Sequence, residues 1–332
     1  MKAILFKGKD HPLAFQDFDL PKPVKDQVLV RLDAAALNHR DYWIRTEQSV
    51  SAEKGIVLGS DGSGKVEAVS EEGDTTFVGR DVVINPSLDW GNNPLVQSDA
   101  FKILGFPDHG TFAEYILINK KYVHDKPEHL SHQQAAALPL SGLTAYRALF
   151  TKARIRPGEK VLITGIGGGA ALWALQLALA FQAKVYVTSS SPEKIKRATE
   201  LGATEGFNYK EKDWVEKAKR STRGFDVIVD SAGGEGFPAL IDLALPGGRI
   251  VIFGRTAGNI PEIAPRLLFW KQLSVFGTTM GTRDEFLSLL DFVEKKKIVP
   301  VVDEILPLQR TEEALTKMAK GSQFGKIVLQ IR

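Results

Sequence analysis

The chain of 332 residues contains no cysteine. This absence excludes disulfide bonds and every metal site that depends on a thiolate ligand. The longest apolar run, residues 172–181, is interrupted by Gln176 and is too short to cross a bilayer. The first apolar residues, 3–6, are followed directly by Lys7 and are too few for a signal peptide. We therefore expect a cytoplasmic protein.

The chain also lacks a strong charge of either sign. Its net charge is only +3, with 25% charged and 43% hydrophobic residues, a composition typical of globular proteins. The one basic run, Lys295-Lys296-Lys297, is interpreted as a solvated helix end. Neither a nucleic acid nor a membrane surface is expected as a partner. The length favours two domains.

A glycine-rich stretch at residues 160–170 organises the sequence. An apolar strand at 161–163 leads into glycines, and an apolar helix follows from Ala170. Gly165, Gly167 and Ala170 match the G-x-G-x-x-G/A pattern of a dinucleotide site, in which a helix N-terminus attracts a phosphate. The pattern predicts such a site. The alternative is a glycine turn in an ordinary strand–helix unit.

The pattern around this stretch predicts an α/β fold. Strands alternate with helices from residue 161 onward, which is typical of a doubly wound parallel sheet. The expected strands are 161–164, 184–188, 205–209, 225–230, 248–253 and 273–277. Residues 1–120 are β-rich and predict a barrel or folded sheet. Residues 284–297 predict a helix, and residues 300–332 return to a strand-like pattern.

The second predicted strand of the parallel sheet ends in Thr188-Ser189-Ser190-Ser191, without a carboxylate. NAD sites usually place Asp or Glu there to bond the ribose 2′-hydroxyl. Hydroxyls and the cation of Lys194 instead suit a 2′-phosphate, so the pattern favours NADPH. The other interpretation is that Ser191 caps the helix beginning at Pro192 while Lys194 is solvated. The two roles are compatible.

Short motifs follow one another along the whole chain. They are Leu37-Asn38-His39-Arg40-Asp41, Leu58-Gly59-Ser60-Asp61, Gly110-Thr111-Phe112-Ala113-Glu114-Tyr115, Gly142-Leu143-Thr144-Ala145-Tyr146, Leu201-Gly202-Ala203, Val229-Asp230-Ser231, Pro246-Gly247-Gly248 and Gly325-Lys326-Ile327-Val328-Leu329. In this order the sequence resembles the medium-chain dehydrogenase/reductase superfamily, in its zinc-free quinone oxidoreductase-like branch. The resemblance implies a Rossmann NADP-binding domain at 126–295 and a discontinuous GroES-like β-barrel domain at 1–125 and 296–332.

The resemblance also bears on metals. Zinc-dependent members carry Cys, His and Cys where this chain has Asn38, Ser60 and Ser141. An amide and two hydroxyls are poor zinc ligands, so no catalytic zinc is expected. The family's structural-zinc lobe corresponds to residues 87–106, which hold no cysteine. Four apolar side chains are expected to hold this lobe instead: Trp90, Leu95, Phe101 and Phe106.

Site residues follow from the same resemblance. Asn38 is expected to orient the nicotinamide or the substrate oxygen, and Tyr42 to donate a hydrogen bond or a proton. Asp41 is expected to brace the loop rather than to transfer a proton. Asn38 as a loop-capping amide and Tyr42 as a half-buried aromatic are the alternatives. Ser60 and Arg255 are expected near the substrate, and Arg255 suits a cofactor phosphate equally well.

The implied cofactor contacts follow the carboxyl ends of the predicted strands. They are Thr144, Gly165, Gly167, Gly168, Gly169, Ala170, Ser190, Ser191, Lys194, Tyr209, Phe253, Gly254, Thr278, Thr279 and Met280, with Phe324 over the nicotinamide. The resemblance also implies that residues 273–279 are the sheet edge through which family members dimerise by strand pairing. Because an apolar edge of this kind is otherwise an aggregation hazard, a homodimer is expected.

These expectations describe an enzyme that transfers a hydride from NADPH to a quinone or an α,β-unsaturated carbonyl without zinc. The developing charge then lies on a conjugated oxygen, which needs only hydrogen-bond donors and a proton. Two alternatives remain open. One is reduction of an enoyl thioester of the acyl-CoA type, with Arg255 and Arg283 near its tail. The other is an NADPH-binding sensor or partner protein with little catalysis.

Overall fold

The computed structural model describes residues 1–50, 55–70 and 73–332. The chain forms two compact units: the first unit is Met1–Ser141 with Gly281–Arg332, and the second unit is Gly142–Met280. Residues 126–141 and 281–295 therefore pack with the first unit, which differs from the expected 126–295 division. The reason is long-range contact: the rings of His124 and Phe286 lie 5.4 Å apart, and Glu128 N donates to Glu294 Oε2 at 3.0 Å.

The N-terminal part of the first unit consists mainly of short strands. They are β1 (Lys2–Phe6), β2 (Ala14–Asp17), β3 (Gln27–Ala36), β4 (Ile56–Val57), β5 (Asp61–Val69), β6 (Asp81–Ile84), β7 (Ser87–Leu88), β8 (Lys102–Ile103), β9 (Tyr115–Asn119) and β10 (Val123–Asp125). The helices here are α1 (His39–Glu47) and α2 (His132–Ala136), with 3-10 turns at Thr75–Phe77 and Lys120–Tyr122. Ser131 caps α2 by accepting from Gln134 N, as its sequence predicts.

The second unit alternates strands with helices. Its elements are α3 (Pro139–Tyr146), which crosses the boundary and continues as the π-helical Arg147–Lys152, then β11 (Lys160–Ile163), α4 (Gly169–Ala180), β12 (Lys184–Ser189), α5 (Pro192–Glu200), β13 (Glu205–Asn208), α6 (Trp214–Thr222), β14 (Phe225–Asp230), a 3-10 turn (Gly234–Gly236), α7 (Phe237–Leu243), β15 (Ala244–Ile252), α8 (Pro265–Trp270) and β16 (Ser274–Gly277).

The C-terminal elements return to the first unit. They are α9 (Arg283–Lys296), β17 (Val302–Pro307), a 3-10 turn (Leu308–Arg310), α10 (Thr311–Ala319) and β18 (Lys326–Gln330). The helix α10 was not predicted, and the strand-like interpretation of residues 300–332 is wrong there. Its 3.6-residue period is visible in Ala314, Leu315 and Met318, which are buried in the core. None of the helices in the described ranges has the length and apolar character needed to span a bilayer.

The sheet of the second unit has the order β13-β12-β11-β14-β15-β16, and each neighbouring pair is parallel. Its strands are apolar because helices cover both faces of such a sheet. The helix α4 is apolar all round, with Leu172, Trp173 and Leu175 buried. The predicted doubly wound sheet is confirmed. Its strands all end at one edge, where dinucleotide sites of this fold form.

The main sheet of the first unit runs β10-β6-β5-β3-β18-β17, and β9 also pairs with β3. The C-terminal strand β18 is antiparallel to β3, with Val328 opposite Ala36, and β3 is antiparallel to β5, with Ala36 opposite Asp61. Residues more than 260 positions apart therefore lie side by side. This pairing places the first residue of β18, Lys326, beside the start of β5.

The lobe at residues 87–106 is held partly as expected. Trp90 is buried and packs edge-on against Phe101, with ring centroids 5.3 Å apart. Leu95 is 70% exposed, so its predicted packing role is wrong. The side chain of Arg40 supplies the missing support, because Nη1 donates to Leu104 O at 2.9 Å and Nη2 donates to Phe106 O at 3.4 Å.

Candidate functional site

The glycine turn, residues 165–169 of the second unit, follows β11. Gly165 and Gly167 have φ values of 64° and 118°, in the left-handed region that favours glycine. Gly168 is the N-cap of α4. The first backbone N–H groups of a helix have no acceptor within that helix, and the helix dipole adds a partial positive charge. The turn therefore has the backbone form that holds a phosphate.

The side chain of Lys194 lies across this turn. A Cβ atom built on Gly167 would lie 2.8 Å from Lys194 Cδ and 3.2 Å from its Nζ. The structure thus brings a cation from α5 to the glycine turn, where the side chain of Lys194 is half-buried. A side chain at position 167 would displace the flexible end of this lysine side chain from the turn.

Hydroxyl groups surround the end of β12. Ser191 is the N-cap of α5, as its alternative interpretation predicts: its Oγ accepts from Lys194 N at 3.3 Å. Its own N–H donates to Ser189 Oγ at 3.1 Å, and Ser190 is exposed. Tyr209 is 44% exposed, and its N–H donates to Ser189 O at 3.2 Å. The three serines and Tyr209 therefore lie together at the end of β12, and none of these four side chains is a carboxylate.

The remaining predicted cofactor contacts of the second unit lie at the ends of the following strands. Phe253 N donates to Asp230 O at 3.1 Å, and Thr278 N donates to Ile252 O at 3.0 Å. Thr144 Oγ1 lies 4.0 Å from Met280 Sδ. These contacts connect the ends of β14, β15 and β16. Arg255 is exposed just after Gly254, which itself must be glycine because a Cβ there would lie 2.2 Å from Ser231 O.

A buried aspartate that was not predicted shapes this edge. Asp230 is 1% exposed and accepts from Thr164 Oγ1 at 2.5 Å and from Gly233 N at 2.8 Å. It fixes the turns after β11 and β14 relative to each other. The sequence signal was the aspartate at the end of the apolar strand that runs from Val227 to Asp230. A buried carboxylate at such a position is stable only when hydrogen-bond donors surround it.

The first unit holds a compact polar cluster of Asn38, Asp61 and Lys326. Asp61 Oδ2 accepts from Asn38 Nδ2 at 2.9 Å and from Lys326 Nζ at 3.0 Å. Lys326 Nζ also donates to Asn38 Oδ1 at 2.7 Å. Asp61 Oδ1 accepts from Leu140 N at 2.9 Å. We refer to these three side chains as the polar cluster.

Asp41 braces the segment that carries Asn38. Its Oδ2 accepts from Asn38 N at 2.8 Å, while Asp41 N donates to Asn38 O at 2.9 Å. The side chain is fully buried, and this burial raises the pKa of Asp41 to about 6, against the opposing attraction of Arg40. This geometry is that of a capping residue at the start of α1. Tyr42 is half-buried and packs edge-on against Trp43 at 5.4 Å.

The residues at the positions of the family's zinc ligands do not fit a zinc ion. Asn38 Oδ1 is bonded to the ammonium of Lys326, and Ser60 Oγ accepts from Arg40 Nη1 at 2.7 Å. Ser141 Oγ donates to Ala137 O at 3.5 Å. Within the described part of the chain, no group of three or more His, Cys, Asp or Glu side chains could hold a metal ion. The donors present are neutral, and two of them are bonded to protein cations.

Of the predicted site residues, some lie together in the structure and others do not. Asn38, Asp41 and Ser60 lie together in the first unit as expected. Phe324 is only 2% exposed, and its N–H donates to Asp303 Oδ1 at 2.9 Å, so it is a core residue of the first unit. Lys326 was recognised only as part of the motif 325–329, and no role was predicted for it. A lysine beginning an otherwise apolar strand was the signal that could have identified it.

Comparison with known proteins places these features in a family. Residues 24–128 match the family model of the alcohol dehydrogenase GroES-like domain, and residues 169–295 match that of zinc-binding dehydrogenase. A zinc-type alcohol dehydrogenase-like protein of Leptosphaeria maculans is 34% identical, covering 97% of this chain and 95% of that protein. A quinone oxidoreductase of Mus musculus is 31% identical, covering 99% and 96%. A crystal structure of an NAD-dependent alcohol dehydrogenase superposes with a TM-score of 0.94 at 37% identity over 100% of both chains. The expected combination of a Rossmann sheet with a GroES-like domain is confirmed.

Proposed function

Because the chain belongs to the medium-chain dehydrogenase/reductase superfamily, a group of nicotinamide-dependent oxidoreductases, we propose that it reduces a quinone or enone with NADPH and without zinc. The observation that carries the cofactor part is the position of Lys194 across Gly167. A lysine there, with Ser190 and Ser191 beside it, supplies a positive charge and hydroxyl donors for a 2′-phosphate.

The dinucleotide, when bound, supplies the hydride. The balanced reaction is quinone + NADPH + H⁺ → hydroquinone + NADP⁺, in which the acceptor gains two electrons from the hydride and a proton from solvent. For an enone, the hydride adds to the β-carbon and the proton to the α-carbon. In both cases negative charge develops on the acceptor oxygen, which must be stabilised by hydrogen-bond donors.

The polar cluster provides such donors in place of a Lewis acid. Asn38 is 6% exposed, and its amide is held by two charged neighbours. An N–H group aimed at the acceptor oxygen stabilises charge without the reorganisation that water would need. The quinone oxidoreductase of Mus musculus supports this choice of acceptor.

The first test is a side-by-side fluorescence titration of the purified protein with NADPH and NADH. We expect NADPH to bind at least about tenfold tighter, which corresponds to ~1.4 kcal/mol. Lys194→Met should lower NADPH affinity by about tenfold and leave NADH affinity within about twofold. Lys196→Met, on the same helix with 71% of its side chain exposed, is the matched control and should change neither.

Two results would contradict the proposal. Equal binding of NADH and NADPH would remove the cofactor assignment and favour an NAD-dependent enzyme such as the superposed alcohol dehydrogenase. Tight NADPH binding without turnover on a panel of quinones and enones would remove the acceptor assignment. Turnover is measured as the rate of NADPH oxidation in the presence of each acceptor. We expect one NADPH to be oxidised for each acceptor molecule that is reduced.

A further inference from the structure

The polar cluster contains a buried ion pair whose role the proposed function leaves open. The side chains of Lys326 and Asp61 are 4% and 0% exposed. The desolvation of two buried charges costs about as much free energy as their attraction returns, so stability alone is a weak reason for such a pair. Its position beside Asn38 offers another reason.

The pair leaves the Asn38 amide only one orientation. Oδ1 accepts from the ammonium of Lys326, which has no lone pair, and Nδ2 donates to the carboxylate of Asp61, which has no proton to give. A flipped amide would place NH₂ against NH₃⁺ and a carbonyl oxygen against a carboxylate. The backbone of Asn38 is fixed as well, because its N–H donates to Asp41 Oδ2 at 2.8 Å.

These bonds use one of the two Nδ2 hydrogens of Asn38. The other hydrogen has no acceptor among residues 1–50, 55–70 and 73–332. We infer that Lys326 is a positioning residue: with Asp61 as its counter-ion, it fixes the Asn38 amide so that this remaining N–H is presented to the acceptor oxygen. The inference rests on the proposed function, in which Asn38 contacts that oxygen.

The arrangement also accounts for the absence of zinc-binding donors. In zinc-dependent relatives the position of Asn38 carries a metal ligand, whereas here its oxygen is bonded to a protein ammonium. The positive charge at this point of the site therefore comes from Lys326, which is delivered by the C-terminal strand β18.

The test compares Lys326→Met, Lys326→Arg and the double variant D61N/K326M. Because removing one partner leaves a buried unpaired charge, K326M is destabilised, and the double variant keeps the test readable by neutralising both groups. We expect K326M and D61N/K326M to lower kcat for acceptor reduction at least about 30-fold while the Kd for NADPH stays within about twofold. K326R, which keeps the charge, should recover to within about fivefold of the wild type.

Lys317→Met is the matched control. Lys317 forms ion pairs with Asp303 at 2.7 Å and Glu304 at 2.6 Å in the same unit, outside the polar cluster. Its loss should leave kcat within about twofold. A double-mutant cycle adds the decisive comparison: if Lys326 acts through Asn38, adding K326M to N38A should change kcat by less than about threefold. Fully additive losses in the cycle would overturn the inference.

A second readout does not depend on turnover. In protein labelled with ¹⁵N-asparagine, the Nδ2 signal of Asn38, assigned by its loss in N38A, should show two resolved hydrogens, of which the one bonded to Asp61 exchanges slowly. In D61N/K326M this hydrogen should exchange at least about tenfold faster. If the wild type reduces no acceptor, the proposed function fails while this measurement still decides the positioning. An unchanged Asn38 signal, or a K326M variant that loses NADPH affinity at normal kcat, refutes the inference.

Discussion

Asp41 is a carboxyl group that the fold keeps away from water at the start of α1. Burial raises its pKa to about 6, whereas an unfolded chain would titrate near 3.8. Between these two values the native state holds a proton that the unfolded state has lost. The stability that this group contributes is therefore complete below about pH 4 and is lost as the pH rises through about 6.

Asp41→Asn should remove this pH dependence. The neutral amide oxygen can still accept from Asn38 N, and no charge is buried at pH 7. We expect the melting temperature of D41N, relative to the wild type, to rise between pH 4 and pH 7, by an amount corresponding to on the order of 3 kcal/mol at most. Asp10→Asn, at an exposed position of the same unit, is the control and should show no such trend. A constant difference between D41N and the wild type would show that Asp41 is ionised in the native protein throughout.

At the residue scale, the sequence identified the groups that sit in recognisable motifs. Asn38 and Asp41 stand three positions apart at a helix start, and that local relation is visible in the chain itself. The partner of Asn38 is Lys326, 288 positions away, and only the pairing of β18 with β3 brings them together. A hydrogen bond of that span depends on sheet register, which one sequence does not reveal.

At the element scale, the turn between β11 and α4 depends on its glycines. Gly167→Ala would place a side chain at φ 118° and 2.8 Å from Lys194 Cδ, at a cost of about 1–3 kcal/mol. We expect a lower melting temperature without ligand and at least about tenfold weaker NADPH binding, since Lys194 must move. Both are measured on the same protein, by thermal melting and by fluorescence titration.

Gly236→Ala provides the comparison for that experiment. Gly236 lies in the same unit at φ −78°, and a Cβ there would meet nothing within 4 Å. An alanine at such a site is neutral or slightly stabilising, because it restricts the unfolded chain. If G167A behaved like G236A in both assays, the glycine turn would have no special role in holding the phosphates.

Elements with a clear period were predicted well, and those defined by tertiary context were not. The parallel strands and α9 follow from apolar runs between turn residues. The helix α10 was missed because its short amphipathic pattern, Ala314, Leu315 and Met318, lies between two real strands. The support of the 87–106 lobe by Arg40 was invisible for a different reason: a guanidinium that bonds carbonyl oxygens leaves no sequence pattern.

At the scale of the whole molecule, the division into two units shows the same limit. The family resemblance implied a boundary at 125/126, but the contact boundary lies at 141/142, because residues 126–141 bond back to the first unit. Leu140 N donates to Asp61 Oδ1, and His129 Nε2 lies 3.0 Å from Ile298 O. Domain membership is decided by such long-range contacts, which local patterns do not report.

The open edge of the parallel sheet leads to the last prediction. Strand β16 ends the sheet, and apolar side chains near it are exposed: Val275 by 44%, Phe269 by 64% and Trp270 by 74%. An unpaired apolar edge recruits another strand, and exposed apolar patches mark interaction surfaces. We propose that two copies of the chain pair through residues 273–279.

Val275→Lys should convert this dimer to a monomer, because a charged side chain on an edge strand opposes strand addition. Val78→Lys is the matched control, since Val78 is 46% exposed in the first unit and distant in sequence from the edge. Sedimentation velocity at micromolar concentration should give dimers for the wild type and V78K and monomers for V275K. A monomeric wild type would refute the pairing, and a dimeric V275K would show that a surface other than this edge joins the copies.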